Sequence, residues 1–273
     1  MSCPDCFRGG ISKDDCTGKW VTIHGLRTYV AEPESGVTPK GLIVYITDAF
    51  GPDFVNNRVL CDRYARGDFL VYCPDLMNGR AMSPSVIPST HTLLEKQSWF
   101  TTIFIKPLLL LQVLYHVLPW MITCSITKTE AEVIRYFHAL RTSPPPFETK
   151  DLKIGTTGFC WGGKHTLSSI SEPLIDAAFV AHPTFIKVPD DVEAIRIPIS
   201  WAVGEEDLQM KAQDVRKVKD ILESRKDVKH EVQLLPGAKH GFANRTDPDD
   251  EVAMAAATRV EEQAKSWFSR WFP

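Results

Sequence analysis

One six-residue turn constrains this chain more than any other feature. Gly158-Phe159-Cys160-Trp161-Gly162-Gly163 follows the apolar run 152–157 and precedes a helix-forming stretch. A strand that turns sharply into a helix, with a reactive side chain at the apex, is a nucleophile elbow. The turn is so tight that the residues two before and two after the apex must be small, and here they are Gly158 and Gly162. The apex also stands at a helix N-terminus, whose partial positive charge favours a thiolate. The backbone N–H of Trp161 would then face the oxyanion hole. The competing reading is an inert cysteine buried in a glycine-rich turn, since free cysteines are often structural.

Partners downstream weigh against that bland reading. Val203-Gly204-Glu205-Glu206-Asp207 follows the expected strand 199–203, and Pro236-Gly237-Ala238-Lys239-His240-Gly241-Phe242 follows the expected strand 230–235. The order nucleophile, acid, histidine is that of α/β-hydrolases and not of chymotrypsin or subtilisin. In these roles His240 takes the thiol proton and later activates water, while Asp207 holds the imidazole tautomer. Glu205 and Glu206 are rivals for the acid place, although a solvated loop accounts for both. His182, in Ala181-His182-Pro183, ends a strand on the same sheet edge. It either lines the pocket or is a hydrogen-bonded loop histidine.

The elbow needs a sheet, and the pattern supplies one. Apolar, β-rich runs fall at 20–24, 28–32, 42–47, 69–73, 153–159, 177–181, 198–203 and 230–235. Several are continuous, as in Leu42-Ile43-Val44-Tyr45-Ile46, which marks strands covered on both faces. Helical patterns at 56–66, 130–141, 164–170, 211–224 and 250–271 alternate with them. In the last, Val252, Ala256, Val260, Ala264, Trp267 and Trp271 share one face. The expectation is one α/β domain over 1–273, a mostly parallel sheet flanked by helices. With 273 residues, 44% hydrophobic, the chain can bury a core of that size.

Residues 81–129 break the alternation, and a long insertion at such a point is expected to form a helical cap. An uncharged run at 107–127 is about long enough, at roughly 20 residues, to cross a bilayer, and the most apolar part is 103–124. It contains Lys106, Pro107, Gln112, His116 and Pro119, so a helix packed over a pocket is expected and no membrane is invoked. Pro144-Pro145-Pro146 reads as a stiff linker into the elbow strand. A net charge of −3 with mixed signs provides no basic face, so nucleic acid is excluded as a partner. The N-terminus lacks a signal-peptide apolar region, and seven irregularly spaced cysteines suit a reducing, cytoplasmic compartment. Cys3, Cys6, Cys16 and His24 could supply four zinc ligands, but their spacing matches no common finger. A monomer and a homodimer both remain open.

The elbow, Asp207 and His240-Gly241-Phe242 together resemble the dienelactone hydrolase family, in its fungal-type branch. Met1-Ser2-Cys3-Pro4-Asp5-Cys6-Phe7 and Tyr29-Val30-Ala31-Glu32-Pro33 resemble the same branch. The resemblance implies cleavage of a small lactone or ester by a Cys-His-Asp triad, with no metal and no cofactor. It implies a thiol-activating carboxylate in Thr47-Asp48-Ala49-Phe50-Gly51, where Asp48 replaces the usual glutamate, and a second oxyanion-hole N–H from Ala49. It further implies two arginines for a substrate carboxylate. Arg80 stands one place late for the first, and Arg245 stands beside the second, which falls on Asn244. The alternative function is a biosynthetic lactonisation, acyl transfer or rearrangement on the same fold, for which excluding water would suffice.

Overall fold

The computed structural model describes residues 9–143, 152–170, 174–247 and 249–272. The motif at 1–7, with Cys3 and Cys6, and the proline linker at 144–146 lie outside them. The strands are β1 Lys19–Ile23, β2 Leu26–Ala31, β3 Leu42–Ile46, β4 Leu70–Pro74, β5 Ile154–Phe159, β6 Ala177–Ala181, β7 Ile199–Gly204 and β8 His230–Leu235. Each matches an expected strand. They form one eight-stranded sheet in the order β1-β2-β4-β3-β5-β6-β7-β8. Only β1–β2 and β2–β4 are antiparallel. From β3, the chain adds β4 on one side and β5 on the other, both parallel to it. The sheet therefore has its switch point between β3 and β5. Ligands of open α/β sheets bind outside the carboxyl ends of strands at such a point.

The central strands are buried on both faces, as their continuous apolar runs require. In β3, Ile43 and Tyr45 face one core cluster, and Leu42, Val44 and Ile46 face the other. Helices α1 (Val55–Ala65) and α8 (Glu251–Trp271) cover the first side. Helices α4 (Ile126–Thr142), α5 (Trp161–Ser169) and α7 (Ala212–Ser224) cover the second. A one-turn α6 (Asp190–Glu193) precedes β7. In α7, Val215, Val218 and Leu222 are buried at helical spacing, each contributing roughly 1.5–3 kcal/mol of transfer free energy.

Helix α8 departs from its expected face. Ala256, Val260, Ala264 and Trp267 are buried with Gln263 and Phe268, while Val252 in the first turn is exposed and Trp271 is half-buried. The helix is capped by Asp250, whose Oδ1 accepts from the Ala253 N–H at 3.0 Å. At its other end α8 crosses β5 closely: a Cβ on Gly155 would stand 2.6 Å from the Phe268 ring.

The insertion is helical, and its end, from Trp120 to Thr127, helps wall a cavity beside Trp161. It contains α2 (Val86–Leu94), a π-helical turn (Thr101–Ile105) and α3 (Lys106–Thr123). Pro107 falls in the first turn of α3, where a missing N–H is harmless. In α3 only Val117 and Trp120 are buried, while Leu108, Leu110, Leu111, Leu114, Leu118 and Ile122 are exposed. The end of the insertion does meet the elbow, because Trp161 Nε1–H donates to the Cys124 carbonyl at 2.8 Å.

Helix α4 is tied to α5 by Thr129 Oγ1 and His165 Nε2, 2.9 Å apart. Burial, reinforced by Lys164, pushes His165 down from 6.5 to about 3. Between those values the unfolded chain binds a proton that the folded chain does not, so stability falls as pH falls below 6.5. His165→Gln should therefore flatten the stability profile between pH 6.5 and 5, by a slope that grows toward about 1.4 kcal/mol per pH unit at the acid end. Urea unfolding across that range measures it, and an unchanged slope contradicts a neutral His165.

Candidate active site

Cys160 ends β5 at φ 53° and ψ −113°, a conformation that a residue with a β-carbon adopts only under constraint. The constraint comes from its surroundings. A Cβ on Gly158 would stand 2.3 Å from the Gly162 carbonyl oxygen, and one on Gly162 would stand 2.2 Å from that of Ile46. A Cβ on Gly163 would meet Pro183 at 2.5 Å. All three glycines are thus required for α5 to start this close to β3 and β6. The Gly162 N–H donates to the Thr47 carbonyl at 3.1 Å, which fastens the elbow to the loop after β3. Cys160 itself is buried, at 4% exposure.

Asp207 and His240 come from the loops after β7 and β8, at the same sheet end. The Asp207 side chain is fully buried, and its Oδ1 accepts from the N–H groups of Gln209 at 2.7 Å and Met210 at 3.1 Å. These bonds fix the carboxylate and leave Oδ2 for His240 Nδ1 at 2.9 Å. A carboxylate only accepts, so Nδ1 carries the proton and Nε2 is the nitrogen free to exchange one with a thiol. Glu205 and Glu206 are exposed, which separates them from Asp207. Burial acts to lower the His240 pKa. The Asp207 charge and then that of Cys160, each with a hydrogen bond, outweigh it and raise His240 from 6.5 to about 10. The arrangement favours the protonated form of His240.

His182 lies behind this pair. It is wholly buried at φ 37°, and its ring meets the His240 ring edge-on with centroids 4.9 Å apart. Burial, then the charges of His240 and Arg245, push its pKa well below 6.5. It is a neutral packing partner of His240.

Asp48 and Arg245 form one buried ion pair, with both side chains fully shielded from solvent. Asp48 also accepts from Asn57 Nδ2 at 3.0 Å, Asn244 Nδ2 at 3.0 Å and the Phe50 N–H at 3.2 Å. Asn244 Nδ2 reaches Asn57 Oδ1 at 2.9 Å, and Tyr45 Oη donates to the same oxygen at 3.0 Å. The two charges that the sequence assigns to thiol and substrate are therefore engaged with each other. Nothing in the spacing marks Asn57 as part of this network. Arg80 does not join the site: it is exposed, and its Nε–H donates to the Met77 carbonyl at 3.2 Å. Ala49 is buried in the loop beside the elbow, and its carbonyl accepts from the Met82 N–H at 2.8 Å.

Cavities flank these residues, and two of them bear on the site. A small one of about 170 Å³ touches His240, Arg245, Lys239 and His91. His91, which carries no motif, is brought there because it accepts from the Gly9 N–H at 3.2 Å. A larger one of about 460 Å³ lies beside Trp161 and is walled by Trp120, Met121, Cys124, Ile126 and Phe185, with Lys164 and Lys187 among its polar groups.

Known proteins share this architecture along nearly its whole length. A putative dienelactone hydrolase from Klebsiella pneumoniae superposes with a TM-score of 0.65 at 18% identity, over 94% of this chain and 100% of its own. The dienelactone hydrolase of Anabaena variabilis gives 0.62 at 17% identity, over 95% and 99%. At these identities the likeness shows the fold alone. Among curated proteins, hydrolase pyvD of Aspergillus violaceofuscus is 24% identical over 97% of this chain and 95% of its own. Dienlactone hydrolase 1 of Gibberella moniliformis is 24% identical over 97% and 92%. The model of the dienelactone hydrolase family matches residues 26–272, from β2 to the residue after α8, and the chain belongs to that family.

Proposed function

We propose that this protein cleaves a lactone or ester through an acyl-thioester on Cys160. The observation that carries this reading is the buried line from the elbow thiol to His240 and on to Asp207. Family membership supports the coarser statement, a hydrolase of ester or lactone bonds. In the proposed reaction His240 accepts the thiol proton, and the thiolate attacks the substrate carbonyl. The oxyanion is held by the backbone N–H groups of Trp161 and Ala49. His240 then protonates the leaving alkoxide. In the second half it takes a proton from water, and hydroxide releases the acid and the free thiol. Asp207 stabilises the imidazolium throughout. No metal or cofactor enters these steps. Cys16, Cys61, Cys73 and Cys124 are free thiols, in keeping with a cytoplasmic site of action.

The Asp48–Arg245 pair fits a substrate-dependent role. An anionic substrate group drawn to Arg245 would compete with Asp48, and the released carboxylate could then take the thiol proton. Cyclisation or acyl transfer would use the same acyl-thioester with a different acceptor, so product analysis separates that alternative from hydrolysis.

Three outcomes follow. Cys160→Ala should lower ester turnover at least ~10³-fold, as loss of a nucleophile does, with the urea midpoint nearly unchanged. Iodoacetamide at pH 6 should label Cys160 ahead of Cys61 and Cys124, whose thiols burial pushes up. Peptide mapping reads the order, and equal labelling of all three excludes an activated Cys160. For the base, His240→Ala should reduce steady-state turnover about 10²–10⁴-fold, with deacylation the slower half. A burst experiment with an activated ester measures both halves, and unchanged steady-state turnover removes His240 from the mechanism.

A further inference from the structure

The outer face of the insertion is the largest feature that the proposed chemistry leaves unused. Residues Thr101–Thr123 form 23 helical residues whose most apolar 18-residue window has mean hydropathy 1.6, yet only 6% of that window is buried. A core helix of this composition would be covered by its own protein, and this one is not. At 100° per residue, the exposed side chains of Leu108, Leu110, Leu111, Leu114, Leu118 and Ile122 sweep an arc of about 160°. Trp99 and Phe100, just ahead of it, are 71% and 54% exposed. From Lys96 to Thr129 the chain carries three lysines and no Asp or Glu, with Glu95 and Glu130 the next residues on either side. Lys106 and Lys128 reach back to carbonyls at the helix ends but keep their charge beside the apolar arc.

We propose that this face docks on an anionic phospholipid bilayer, with the helix lying in the plane of the interface. An apolar arc bordered by cations and free of carboxylates suits acyl chains beneath negative headgroups. A spanning arrangement is disfavoured, because the other side of the helix belongs to the domain. Val117 and Trp120 are in the core, Trp120 Nε1 lies 3.5 Å from Met77 Sδ, and Ser89 Oγ donates to Gln112 Oε1 at 3.1 Å. A second copy is the weaker occupant. It would bring two carboxylate-free, lysine-bearing faces together, and one helix packed on another covers a stripe narrower than this arc. The proposal replaces the expectation of a protein with no membrane partner.

The test is vesicle flotation of the full chain, using phosphatidylserine–phosphatidylcholine vesicles and phosphatidylcholine vesicles. The wild type should float with the anionic vesicles at least tenfold more than the triple variant Leu108→Glu/Leu111→Glu/Leu118→Glu, and less in high salt. All three substitutions are at exposed positions, so circular dichroism and thermal unfolding should match the wild type and exclude misfolding as the cause. Wild-type protein that stays unbound with both vesicle types overturns the proposal. Gel filtration then asks whether it is a dimer that the same variant disperses, which would assign the face to a second copy.

Discussion

The sharp turn from β5 into α5 holds Cys160 at φ 53°, where a residue with a side chain stays only if everything around it leaves no alternative. Three glycines remove the Cβ atoms that would strike the Gly162 carbonyl, the Ile46 carbonyl and Pro183. Because α5 then approaches β3 closely, the Gly162 N–H reaches the Thr47 carbonyl, and the elbow and the Asp48 loop become one unit. The parallel registers of β3–β5, β6–β7 and β7–β8 bring the loops bearing Asp48, Cys160, Asp207 and His240 to the same sheet end. The site is thus a consequence of strand order plus one strained turn.

Much of this was legible in the sequence because its causes are local. A continuous apolar strand such as β3 announces burial on both faces, and the spacing of glycines around Cys160 announces a tight turn. The choice of Asp207 over Glu205 and Glu206 was less legible. It depends on which carboxylate points inward, and that is fixed by the N–H groups of Gln209 and Met210 rather than by residue type. The pairing of Asp48 with Arg245 was hidden for a different reason. The two residues are 197 positions apart, and spacing carries no information on whether two buried charges face a substrate or each other. The exposure of helix α3 was not legible, because hydrophobicity reports that a segment avoids water, not what covers it. Its composition suits both the end that walls the cavity beside Trp161 and the outer face left bare.

Electrostatics sort the buried histidines into separate tasks. His165 and His182 are held neutral by burial, without a carboxylate to reverse it. His240 is buried as deeply, yet the charges of Asp207 and Cys160 overcome that burial and favour its protonated form. A depressed imidazole can pack or accept a hydrogen bond. A raised one, shared between a carboxylate and a thiol, can store the proton that nucleophilic attack must remove. The network around Asp48 is a second charged centre beside it, with both ions of the Asp48–Arg245 pair buried and engaged with each other.

The central claim is that the elbow thiol becomes covalently acylated during turnover. The most direct measurement is mass spectrometry of wild-type protein mixed with a slowly deacylating ester and quenched in acid within the first turnover. The account predicts one added acyl group, located by peptide mapping on the fragment containing Cys160. An acyl group on any other residue, or turnover with no adduct on Cys160 at any quench time, would contradict it.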